Sequence, residues 1–89
     1  MQVRKMRILR HKHGITRPEL GRACALSPQR ISEIELSETG LIPETQEKLR
    51  HGFESVAQRR EDALRSLRGD LARHGESLFE AVEETGYEL

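Results

Sequence analysis

The chain has 89 residues, 35% of them hydrophobic, 34% charged and 3% aromatic, with no tryptophan; this allows one small domain with a modest core and favours stabilisation by self-association. No apolar run approaches the ~18 residues of a membrane span, and the basic, interrupted start MQVRKMRILRHKHG lacks the apolar block of a signal peptide, so a cytoplasmic protein is expected. Formal net charge is zero but unevenly spread: residues 1–30 carry eight Lys/Arg against the single acid Glu19, and the other 59 carry seven against fourteen acids. The resulting portions of +7 and −7 suggest a basic surface for a polyanion and an acidic remainder facing elsewhere.

A first helix is expected over residues 3–13, with Val3, Met6, Ile8 and Leu9 as its apolar side and Gly14 as its stop. Its polar side is almost wholly basic. His11 and His13 stand two apart, about 200° around a helix, so they do not chelate a metal together, and no acid or cysteine cluster supports one. A second helix is expected over about 17–25. Thr16 and Glu19 have the capping-box spacing, Pro18 falls in the first turn, and Leu20, Ala23 and Cys24 point inward. Gly21 costs roughly 1 kcal/mol inside a helix, which a close approach of the next helix offsets. The single cysteine, Cys24, excludes an intrachain disulfide framework and suits a reducing compartment. Ser27 followed by Pro28 then starts a third helix to about Leu36, with Ile31 and Ile34 inward and Gln29, Arg30, Ser32 and Glu33 outward. Two short helices joined by a tight connection form the pattern of a helix-turn-helix.

The run from Met6 to Leu49, about half the chain, resembles the helix-turn-helix domain of phage repressor and Cro-type (XRE-like) regulators. The resemblance is carried by R-x-x-x-G-I-T-x-x-E-L at Arg10–Leu20, by A-L-S-x-x-x-I-S-x-I-E at Ala25–Glu35, and by Pro43 after a short loop. It departs from the family pattern at Ala25, where glycine is usual at a positive-φ turn position, and at the acidic Ser37-Glu38-Thr39-Gly40 loop, which is often basic. What it implies is an all-α, four- to five-helix lambda-repressor-like domain over residues 1–58. The helix at 28–36 would lie in the major groove, where Gln, Arg and Glu side chains read adenine, guanine and cytosine edges. The implied DNA-binding residues are Thr16 and Arg17 at a helix start facing a phosphate, Pro28, Gln29, Arg30, Ser32 and Glu33 on the reading helix, and Ser37 and Thr39 in the loop. Arg7, Lys12 and Arg22 are looser parts of the same electrostatic footprint. Arg10 and Glu35 are implied to form a structural ion pair.

From Pro43 onward the pattern is helical, with Leu49, Phe53, Val56 and Ala57 as a stripe. Residues 59–89 form a second region, an amphipathic helical extension. Ala63, Leu64, Leu67, Leu71, Leu78, Phe79 and Val82 recur at helical steps, and Glu61–Arg65 stand at i,i+4. Gly69-Asp70 is a candidate break and His74-Gly75 a candidate end. Ser77-x-x-Glu80 is a candidate restart of a short helix stopped at Gly86. A narrow apolar stripe either folds back on the first region or pairs with another chain, and pairing is favoured.

No Gly-rich phosphate loop or Ser/His/Asp grouping appears, so neither enzyme activity nor a cofactor is expected. The expected function is a sequence-specific DNA-binding transcriptional regulator: a homodimeric (auto)repressor that holds double-stranded DNA at a palindromic operator. The alternative is an antitoxin-type regulator or protein-interaction module whose acidic C-terminal tail binds a partner protein.

Overall fold

The computed structural model describes residues 2–83, and among these the regular structure is entirely helical. Four α-helices follow in order, α1 (Lys5–Lys12), α2 (Arg17–Cys24), α3 (Pro28–Glu35) and α4 (Pro43–His74), then a 3₁₀ turn at Gly75–Phe79. No helix of the described residues is long and apolar enough to cross a membrane. The chain divides into two compact units, residues 1–58 and the remainder from Arg59.

In the first unit, local chemistry sets each boundary. Gly14 takes a left-handed φ of +62° just beyond α1. The Thr16 hydroxyl accepts from the Glu19 N–H at 3.1 Å and caps α2; the Ser27 hydroxyl accepts from the Arg30 N–H at 3.1 Å and caps α3. Both helices carry proline in the first turn, where no amide proton is needed. Helix α2 ends on Ala25 at φ 58°, ψ 42°, with the Leu26 N–H returning to the Gly21 carbonyl at 3.0 Å. Helix α3 ends likewise: Ser37 has φ 59°, its N–H donates to the Ile34 carbonyl, and the Glu38 N–H donates to that of Glu33. This is a Schellman closure with serine in the usual place of glycine.

Ile15, Leu20, Cys24, Ile31, Ile34, Leu49 and Val56 form the core, with Met6, Ala23, Leu26, Leu41 and Phe53 packed half-buried against it. Glycine serves close packing at two places. A Cβ on Gly21 would stand 2.4 Å from the Leu26 carbonyl oxygen and 3.5 Å from Ile31 Cδ1, so Gly21 chiefly admits the backbone of the following turn. A Cβ on Gly52 would stand 2.8 Å from Cys24 Cβ, so this glycine lets α4 lie against α2.

The first helix differs from expectation. It begins at Lys5, leaving Val3 outside, and Ile8 and Leu9 are 62% and 45% exposed. The inward face is instead set by Met6 and Arg10, one turn apart. Arg10 is buried, which rotates Ile8, some 200° from Met6, away from the core.

In the second unit α4 continues unbroken through Gly69-Asp70, since an exposed glycine costs a helix only about 1 kcal/mol. It ends at His74, and Gly75 follows with φ +53°. The expected helical restart at Ser77 does not form. The Ser77 hydroxyl donates to the His74 carbonyl at 2.6 Å, closing the preceding turn instead of capping a new helix, and the chain is non-helical from Glu80 to Glu83. Gly86 lies outside the described residues. Arg65 pairs with Asp62 at i,i+3, the N–O distance being 3.6 Å, and Arg73 pairs with Asp70. From Arg59 to Glu83 no residue is buried.

Candidate nucleic-acid interface

The three-residue turn Ala25-Leu26-Ser27 holds α2 and α3 together, and it brings the starts of both helices to one side. Thr16, Arg17 and Pro28 line a common hollow of about 580 Å³, with His11 and Gly14 at its edge. Thr16 is exposed and Arg17 half-buried at the N-terminus of α2, where the helix dipole favours an anion; Pro18 has no N–H and the Glu19 and Leu20 amides are bonded to Thr16. At the start of α3, Pro28 and Gln29 are exposed, whereas Arg30, Ser32 and Glu33 are half-buried. Arg30 and Thr39 meet: the guanidinium Nη1 donates to the Thr39 hydroxyl at 3.2 Å and stands 3.8 Å from a Glu33 oxygen. The loop therefore fixes the direction of Arg30. Ser37 is exposed beside it.

Behind this surface lies a buried charge cluster. Glu35 is fully buried, and Arg10 grips it with both ends of the guanidinium, Nε to Oε2 at 2.7 Å and Nη2 to Oε1 at 3.0 Å. Arg10 Nη1 also donates to the Ile15 carbonyl at 2.8 Å. Two more cations face the same carboxylate: Arg7 Nη1 at 3.6 Å and Arg17 Nε at 3.5 Å. Burial alone pushes the Glu35 carboxyl up, but the Arg10 hydrogen bonds and the charges of Arg10 and Arg17 outweigh it and hold the group below the ordinary carboxylate range. One carboxylate among three arginines leaves the cluster with an excess of positive charge, shared by the Arg17 end of α2.

The sequence ties Glu35 only to Arg10; Arg7 and Arg17 are legible there as surface cations. No motif marks Arg4 as a site residue, yet its Nε donates to the Ile34 carbonyl at 2.8 Å and its Nη2 to the Thr39 carbonyl at 3.2 Å. Its backbone N–H donates to the Glu35 carbonyl at 2.8 Å. The only sequence signal for this was its place in the basic run just before the first helix. Cys24 is buried, and burial pushes its thiol up, which makes it a core residue rather than a nucleophile. No set of three His, Cys, Asp or Glu side chains among the described residues is arranged to hold a metal.

No protein-family model, curated protein or solved structure matches the chain.

Proposed function

We propose that the chain is a sequence-specific DNA-binding transcriptional regulator, a homodimeric repressor whose α2 and α3 act as a helix-turn-helix of the lambda-repressor-like kind. The observation that carries this reading is the pairing of two capped eight-residue helices across a three-residue turn that opens on the left-handed Ala25, with the positively charged α2 start beside the exposed start of α3. Helix α3 would enter the major groove, with Gln29 and Arg30 reaching base edges and Ser32 and Glu33 beside them. The Thr16 hydroxyl and the Arg17 side chain at the positive end of the α2 dipole would hold a phosphate, and Ser37 and Thr39 would flank the next. The Arg30–Thr39 hydrogen bond supports a reading role for Arg30, because a guanidinium held in one direction loses less freedom on meeting a guanine. A two-fold pair of such units calls for half-sites about one helical turn apart.

The test is selection of binding sites from random duplex DNA with the full chain. The expected outcome is a (pseudo)palindrome of two half-sites, an affinity falling steeply with salt, and a Gln29→Ala variant that loses preference at one position per half-site, by about 1–3 kcal/mol. Absence of enrichment, or binding indifferent to salt, would overturn the reading.

A further inference from the structure

We infer that the apolar groove between α1 and the first half of α4 is a docking site for the acidic, apolar stretch 76–83 of a second copy of this chain. This rests on the homodimeric reading and says where the copies meet. The groove lies wholly within the first unit and has a volume of about 740 Å³, within the ~300–1,000 Å³ of pockets that take a compact apolar group. Its floor contains Met6, Leu41 and Phe53, and it includes Ile8 and Leu9, the two large apolar side chains that α1 leaves in water. Four cations, Arg4, Lys5, Lys12 and Arg50, line it with one carboxylate, Glu54; Arg50 already pairs with Glu47 and Arg4 is bonded to the Ile34 and Thr39 carbonyls, so Lys5 and Lys12 are the charges most open to a partner.

The second unit carries the complement. Leu78, Phe79 and Val82 are 49%, 88% and 56% exposed, and Phe79 is the most exposed large apolar side chain of the described residues. Glu76, Glu80 and Glu83 stand among them, and no Lys or Arg follows Arg73. An apolar groove edged by positive charge and an apolar stretch edged by negative charge match in both sign and polarity, which sets partner and register together. Both members belong to the same chain, so a two-fold pair makes the contact twice, each copy giving its stretch and receiving the other's.

The experiment uses full-length chains and sedimentation equilibrium. One variant carries Lys5→Glu and Lys12→Glu, the other Glu80→Lys and Glu83→Lys. Each alone is expected to self-associate at least tenfold more weakly than the unaltered chain, since like charges then face each other in both contacts. Mixed together they should form a heterodimer of about the original affinity, because every swapped charge meets its opposite. In parallel, Phe79→Trp places the only indole in the chain, and its emission should shift to the blue as concentration rises through the dimerisation range. Swaps that leave association unchanged, or mixtures that fail to restore it, overturn the proposal while leaving a homodimer by another face standing. An emission already blue and indifferent to concentration means docking within one chain and also overturns it. An unaltered chain that stays monomeric at every concentration removes the homodimeric reading itself.

Discussion

At the residue scale, Glu35 decides how the first unit responds to acid. Its carboxyl titrates lower in the folded chain than in the unfolded one, so at pH values between the two the unfolded chain binds more protons. The stabilisation is therefore complete above the ordinary carboxylate range and is lost as pH falls through it toward the folded value. Urea midpoints measured across that range should drop with pH, and a Glu35→Gln chain, already destabilised at neutral pH by about 3–5 kcal/mol through the stranded Arg10 charge, should show a flatter profile. Ala25 carries the opposite kind of cost. At φ 58° it holds a conformation that costs an L-residue about 1–2 kcal/mol, and it is exposed, so no packing is lost on truncation. Ala25→Gly should raise stability by about 0.5–1 kcal/mol, the remainder being taken back by the looser unfolded chain, with an unchanged denaturant slope.

At the element scale, two glycines of one helix should answer the same substitution with opposite signs. Gly69 has nothing within 4 Å of its would-be Cβ, and Gly69→Ala should stabilise α4 by about 0.5–1 kcal/mol. Gly52→Ala drives a Cβ to 2.8 Å from Cys24 Cβ, an atom next to the backbone that yields little, and should destabilise by about 1–2 kcal/mol net of the helix gain. Thermal unfolding of both variants checks the contrast. The elements themselves were largely readable, because their signals are local: Thr16 to Glu19 and Ser27 to Pro28 fix two helix starts within three residues. What failed depended on partners distant in sequence. Ile8 and Leu9 look inward by apolarity, but Arg10 takes the inward face because Glu35, twenty-five residues on, requires it. The convergence of Arg4 on the α3 end, and of Arg7 and Arg17 on Glu35, has no local signature at all. Ser77 has the spacing of a cap, a hydroxyl three residues before a glutamate, but spacing does not show that the hydroxyl is bonded backwards to His74.

For the whole molecule, stability is distributed unevenly along the chain. All the buried apolar side chains of the described residues lie between Ile15 and Val56, and none is buried beyond Gln58. Amides of α2 and α3 should exchange hydrogen only through global unfolding. Those of α4 past Gln58 should exchange far faster, and any protection gained as concentration brings copies together should fall on the α1 groove and on residues 76–83. Exchange followed at two protein concentrations checks this.

The arginine-ringed carboxylate also gives the chain a directional history. A change at position 10 or 35 alone strands a buried charge, whereas replacing both with well-packed apolar residues is close to neutral or even favourable. The favourable endpoint lies behind unfavourable single steps, and because Arg7 and Arg17 face the same carboxylate, a clean crossing involves four positions changing in concert. Energetically such a cluster is a ratchet: each single step out of it is uphill, whereas a change at an exposed position such as Gln29 leaves the fold untouched and alters only what the surface reads.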